Sequence, residues 1–303
     1  MNRGRRTACL STCLLAGFAC QQSQAESPEA LLRSPTVLAR AARLESALED
    51  VDGTTDPAAP LAQWILPRAL QEISGLALTG DGRLLAHDDE IGQTWEVDYR
   101  RGVVIKRFPL GPDAVTGDFE GMTVANDVVY MLTSRGKVYE FREGANDTPV
   151  EYTVHDTGLE KECEFEGVAF DPAADALLLA CKNVLNKAFK GALVIYRWSL
   201  QGDTGARVSQ LAVPLALVIG TNEWEGLHPS DITIDPLTGN YVLVASAENA
   251  IISVTPAGAV VFARALPALH HQPEGVAITQ DSILIVSDEA GQRPAIITLY
   301  RWP

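Results

Sequence analysis

Positive charge is scarce in this sequence: 24 Lys and Arg stand against 39 Asp and Glu, for a net charge of −15 at pH 7. Nucleic-acid affinity rests on neutralising phosphates, so such a chain is a poor match for DNA or RNA and a better one for a cation. The same acidity also keeps an envelope protein soluble without any partner. Motifs for common catalytic chemistries are missing too. The sequence has no Gly-x-Ser-x-Gly nucleophile elbow, no phosphate-cradling glycine loop and no helical metalloprotease motif. It has no Cys/His cluster at zinc-ligand spacing. Beyond residue 25 there is no apolar run of about 18 residues, so no transmembrane helix is expected there.

Cysteine is also rare, with Cys9, Cys13 and Cys20 near the start and Cys163 and Cys181 in the body. Residues 1–25 read as an export signal. Arg3, Arg5 and Arg6 precede an apolar stretch, Ala8 to Ala19, and Ser23-Gln24-Ala25 puts small residues where a signal peptidase needs them. The mature chain is expected to begin at Glu26 and to be periplasmic or secreted. Leu14 to Cys20 loosely resembles a lipobox, so lipid attachment at Cys20 is the alternative. Cleavage after Ala25 leaves Cys163 and Cys181, an even pair that predicts one disulfide in an oxidising compartment. A regular ladder pairs Glu166 with Cys181 and puts Cys163 three residues out of register, a gap that the chain entering the strand must close.

What the sequence does have is repetition. Residues 26–60 read as a short helix and a breaker-rich linker, whereas residues 61–303 carry short apolar or alternating runs punctuated by Gly, Pro, Asn and Asp. One phrase occurs five times in that second part, as ISGLA from Ile73, FEGMT from Phe119, FEGVA from Phe165, PSDIT from Pro229 and PEGVA from Pro273. The copies recur at about the length of a four-stranded propeller blade, with one longer step between the third and fourth. Each opens a strand, and two or three further apolar runs follow it. The fifth unit stops at Pro303 without an outer strand, and Trp64 to Leu70 resembles the missing piece. The expectation is an all-β, five-bladed β-propeller closed by an N-terminal strand. Six blades remain an alternative, with the extra blade hidden in the insertion from Gln201 to Leu227.

Topology then places residues. In a propeller the first strand of each blade lines the axis and the second runs antiparallel to it, so the starts of first strands and the ends of second strands share a face. That face collects Ser74, Glu120, Glu166, Ser230 and Glu274 from the phrases. It also collects His87-Asp88-Asp89-Glu90, Cys181-Lys182-Asn183, Ser246-Ala247-Glu248 and Ser287-Asp288-Glu289 from the second strands. Converging carboxylates repel, and a hard divalent ion with oxygen ligands relieves them, which makes calcium the expected partner of Glu120, Glu166 and Glu274, with Ser74 and Ser230 completing the set. The alternative is a water-filled channel whose acids are only solvated, with glycines where strands crowd the axis. All five histidines, His87, His155, His228, His270 and His271, fall near the same face.

At these residues the chain resembles the SdiA-regulated (YjiK-like) propeller family, through ISGLA, FEGMT, FEGVAFDP, HPSDITIDPLTGNYVLVAS and QPEGVAI followed by a strand ending in SDE. The similarity runs from Trp64 to Pro303. It implies a five-bladed propeller, distantly related to NHL-repeat propellers, that binds calcium at a shared site, and it brings no established reaction. Two functions follow. One is a calcium-dependent hydrolase of a lactone, ester or phosphoester, with His87 and Asp88 handling the proton. The other is a non-enzymatic envelope module that binds a small molecule or protein while calcium stiffens the ring.

Overall fold

Short alternating runs separated by turn residues form strands that are too short to bury a core singly, so they stack. In the computed structural model, which describes residues 28–49, 59–201 and 208–303, they make five four-stranded antiparallel sheets. Blade one is β2 (Ile73–Leu78), β3 (Leu84–Asp88), β4 (Gln93–Asp98) and β5 (Val103–Pro109). Blade two is β6 (Phe119–Ala125), β7 (Val128–Thr133), β8 (Lys137–Phe141) and β9 (Tyr152–Asp156). Blade three is β10 (Cys163–Asp171), β11 (Ala176–Val184), β12 (Ala192–Ser199) and β13 (Val208–Pro214). Blade four is β14 (Asp231–Ile234), β15 (Tyr241–Ala245), β16 (Ala250–Val254) and β17 (Val260–Ala265). Blade five joins β18 (Pro273–Ile278), β19 (Ile283–Asp288) and β20 (Ile296–Arg301) to β1 (Ala62–Ile65).

The inner strands form a closed circuit: β2 packs on β6, β6 on β10, β10 on β14, β14 on β18, and β18 back on β2. This is the five-bladed propeller expected. The insertion after blade three supplies no sixth sheet; it contributes the short helix α3 (Leu215–Ile219), packed between β13 and β17. Closure is by β1, with Ala62 opposite Leu299 and Trp64 opposite Ile297. The strand ends sooner than expected, because Pro67 cannot donate to a ladder and Arg68–Leu70 turn into a 3-10 helix.

Upstream of β1 the single helix expected is a pair, α1 (Pro28–Leu32) and α2 (Pro35–Glu49). Ser34 Oγ accepts the Val37 amide at 3.3 Å, and Pro35 occupies the first helical position, where its missing N–H costs nothing. Leu44 is 1% exposed in the core shared with Leu66, Leu70, Trp95 and Ile297, so α2 is clamped across the seam that β1 closes. Arg301 donates to the carbonyls of Ala47 and Leu48 at 3.0 Å, anchoring the end of the helix to the last strand. The expected export signal and the possible acylation site at Cys20 lie outside the described residues, as does most of the linker.

Cys163 and Cys181 form a disulfide with Cα atoms 5.7 Å apart. The register gap closes inside the strand: β10 already begins at Cys163, and a bulge at Glu166-Gly167 places Phe165, not Glu166, opposite Cys181.

Four of the five inner strands carry such a bulge, at Ser74, Glu120, Glu166-Gly167 and Glu274. Each is followed or accompanied by a glycine. A Cβ on Gly121 would lie 2.7 Å from the Gly167 Cα, and one on Gly167 would lie 2.6 Å from the Asp231 Cα. Blade four breaks the series with Asp231, which is fully buried. Its Oδ1 accepts the Ile232 amide and its Oδ2 the Val276 amide, both at 2.8 Å, and the Leu76 amide donates to it as well. One carboxylate thereby ties blades four, five and one together on the axis. Asp231→Ala strands buried N–H groups, each worth about 1–3 kcal/mol. It should lower stability in urea by at least that much, and Gly121→Ala should do likewise by forcing two backbones apart. Unchanged unfolding midpoints would contradict this role for the axis.

Candidate functional site

The bulges turn the residues just before the axial glycines toward one mouth of the ring. There the structure brings together Glu120, Glu166 and Glu274, from blades two, three and five. Burial, with Asp118 and Glu274 adding repulsion, pushes the Glu120 carboxyl up to about 7. Burial and then Glu120 push Glu166 up to about 8. Burial also raises Glu274. Ser74 Oγ reaches Glu120 Oε2 at 3.5 Å, whereas Ser230 turns away and donates to the Pro273 carbonyl at 2.6 Å. Ser230 thus joins two blades and leaves its hydroxyl proton out of the mouth.

A cation already stands among these acids. Lys182 Nζ, at the end of β11, pairs with Glu166. Burial works against its ammonium, but Glu166, Glu274 and Glu120 outweigh that and hold it above the ordinary lysine value. A second group of acids continues around the mouth. Glu289 is pushed up to about 8 by burial and by a hydrogen bond shared with Glu72, and Asp89 to about 6 by burial beside Asp88. Gln272 Nε2 donates to Glu289 Oε2 at 2.5 Å.

The two residues expected to handle protons are placed otherwise. His87 is completely buried, with Nδ1 3.1 Å from the Asp88 carbonyl and Nε2 packed where a Cβ on Gly75 would lie 2.6 Å away. Burial pushes its imidazole down to about 4, so it is neutral and out of reach of substrate. Asp88 accepts the Glu90 and Ile91 amides at 3.0 and 3.1 Å and caps the turn after β3. His270 is likewise buried, between Asp288 Oδ2 at 2.6 Å and Tyr300 OH at 2.7 Å. Asp288 also takes the amides of His271 and Gln272, so this network pins the loop that leads into β18.

His228 is different. Its Nδ1 lies 2.7 Å from Glu248 Oε1, and its backbone N–H donates to Glu248 Oε2 at 3.0 Å. Its side chain is 43% exposed while that of Glu248 is only 9% exposed, and it stands two residues before Ser230 on the rim of the mouth. Since a carboxylate can only accept, Nδ1 carries the proton of this contact, which leaves Nε2 as the ring nitrogen without a carboxylate. Sequence reading placed both residues on this face without joining them.

Among the described residues, no three His, Cys, Asp or Glu side chains converge closely enough to ligate one ion. The donor chemistry nevertheless suits calcium: oxygen only, rich in carboxylate, and with the three glutamates pushed toward protonation by burial first and by neighbouring acids second. The amine of Lys182 supplies that charge here.

No family model matches the chain, and no curated protein matches it. Among solved structures, the chain is similar to glutaminyl cyclase from Myxococcus xanthus, with a TM-score of 0.56 and 12% identity over 80% of this chain and 94% of that one. It is also similar to the PQQ-bound aldose sugar dehydrogenase from Streptomyces coelicolor, with a TM-score of 0.51 and 13% identity over 81% of this chain and 99% of that one. These likenesses establish the propeller fold.

The raised carboxyls fix a pH dependence for the metal-free protein. Glu120 and Glu166 hold protons more tightly folded than unfolded, where the ordinary value is 4.5. Their stabilising contribution is therefore complete below that value and is lost as pH rises through about 7 and 8. Carboxyls held low by partners, such as Asp81 at about 2, titrate below this window. Buried His87, held down at about 4 against an ordinary 6.5, works the other way below pH 6.5, so in chelator the melting temperature should fall most clearly between about pH 6.5 and about pH 8, and Glu166→Gln should flatten that slope. A flat or rising wild-type profile in that window would contradict this description of the mouth.

Proposed function

We propose that this protein is an extracytoplasmic β-propeller, akin to the SdiA-regulated (YjiK-like) group, that binds calcium at its acidic axial mouth and uses that mouth to take up a ligand. The observation that carries the reading is that three largely buried glutamates from separate blades repel one another across one mouth, each with its carboxyl pushed upward by burial and with the Lys182 amine among them, although they stand too far apart to ligate one ion until they are drawn inward. Location outside the cytoplasm is supported by the disulfide. No helix among the described residues is long and apolar enough to cross a membrane.

Glu120, Glu166 and Glu274 would hold the ion, with Ser74 at their edge. When bound, calcium supplies a double positive charge that neutralises these acids and polarises an oxygen of whatever ligand enters the mouth. Lys182 must swing off Glu166 to admit it, which makes the lysine an internal competitor. Lys182 is 38% exposed at its side chain and has room to turn into solvent.

The exposed His228–Glu248 pair favours a second reading, a hydrolase of a lactone, ester or phosphoester. In this reading His228 takes the proton role first assigned to His87 and Asp88. Glu248 keeps Nδ1 protonated and the ring oriented, and Nε2 accepts a proton from an attacking water or substrate hydroxyl.

Binding to the native state alone stabilises it, by about 2.7 kcal/mol when free ion is at 100 times its dissociation constant. Calcium should therefore raise the melting temperature and chelator should lower it. Glu166→Gln should abolish most of the response, and Lys182→Met should strengthen calcium binding by removing the competitor. Absence of both calorimetric heat and thermal shift in wild type and Lys182→Met alike would overturn the calcium reading. A panel of lactones, esters and phosphoesters separates the two functions. Turnover lost in His228→Ala would establish the hydrolase, and a flat panel from a calcium-loaded protein would establish the binder.

A further inference from the structure

The opposite end of the axis is built differently. Between the ends of the inner strands and the turns that follow them lies a cavity of about 1080 Å³. Its lining includes no residue of the acidic mouth; the glycine ring and the buried Asp231 stand between the two. Because Asp231 accepts the axial amides of Ile232, Val276 and Leu76, the blind end of the funnel keeps these N–H groups occupied.

The walls are mixed, with apolar side chains that water reaches set among threonines and rim acids. Leu78, Val124, Phe170 and Ile234, one from each of four blades, are only half-buried, above the wholly buried Met122 and Val168. Apolar side chains that water can reach, in a cavity just above the usual ligand-pocket range of about 300–1,000 Å³, suit a small molecule's hydrophobic part.

The rim sets the rest of the specificity. Its arginine, Arg197, is already committed to the Pro256 carbonyl at 2.5 Å and to Tyr241 OH. Four acids border the cavity around it, Asp127, Asp171, Asp235 and Asp281, of which Asp281 is paired with Arg100. Most are held in place, Asp171 by Tyr241 OH at 2.6 Å and Asp235 by Thr238 Oγ1 at 2.7 Å and Trp302 Nε1 at 3.2 Å. Such a rim repels anionic headgroups and accepts hydroxylated or cationic ones.

We propose that this funnel is a second binding site, separate from the acidic mouth, for an amphiphilic small molecule whose apolar body fills the cavity and whose uncharged or cationic end meets the acidic rim. The proposal is independent of calcium.

The test is calorimetric titration of the full exported chain with three decyl probes below their micellar concentrations: decyltrimethylammonium, decyl maltoside and decyl sulfate. Saturable binding of one equivalent of the cationic or neutral probe is expected, with the sulfate at least tenfold weaker. Val124→Trp fills the funnel and should weaken binding tenfold or more, whereas Leu217→Ser, on the exposed side of α3, should leave it unchanged. Methyl NMR of the wild type guards against a variant that misfolds: the same probes should shift the methyls of Leu78, Val124 and Ile234. Absence of saturable binding, preference for the sulfate, or shifts confined to Leu217 and Val261 on the outer surface would overturn the proposal.

Discussion

The constraint on which the rest of the structure depends is the near-contact of five backbones on the axis. Where a Cβ on one strand would fall within 2.7 Å of the next strand's Cα, only glycine fits, and Gly121 and Gly167 meet that demand. Bulges accompany the close approach in four blades and aim the neighbouring residue at the mouth. The glutamates of the candidate site owe their position to this crowding. Asp231, the one departure from glycine, gives amides of three blades a common acceptor and divides the axis into two chambers with opposite chemistry.

Crowding has an electrostatic consequence. Two like charges about 4 Å apart cost about 4 kcal/mol at an effective dielectric of about 20, so three glutamates in one desolvated mouth cannot all stay ionised without a counter-charge. Protonation, Lys182 and a divalent ion are the three ways to supply relief, and they compete. The raised carboxyls and the paired lysine are two expressions of that competition in the metal-free protein.

Much of this was legible in the sequence because it repeats. Five copies of one phrase fixed the blade count, and their alignment put Glu120, Glu166 and Glu274 on one axis; the missing outer strand of the last blade pointed to β1. The remainder depends on geometry that spacing does not encode. His87 sits at a strand end that faces the mouth in topology, yet its ring turns into the sheet beside Gly75, a choice made by the space a glycine leaves. The pairing of His228 with Glu248 joins residues 20 apart, and that of Lys182 with Glu166 joins residues 16 apart, each across a hairpin. The bulge that sets this register inserts unpaired residues no periodicity announces. Asp231 read as a variant of the phrase, and only its burial revealed a structural acceptor. The funnel was invisible because its walls are ordinary strand residues such as Leu78, Val124, Phe170 and Ile234, told from core only by their partial exposure.

The central claim, that the axial mouth is a calcium site in which Lys182 is the resident substitute, is tested most directly by a crystal structure grown with calcium and read by anomalous scattering. The account predicts an ion on the axis bonded to oxygens of Glu120, Glu166 and Glu274, with Lys182 Nζ turned away from Glu166. A map with no anomalous peak on the axis at saturating calcium, and Lys182 still paired to Glu166, would contradict it.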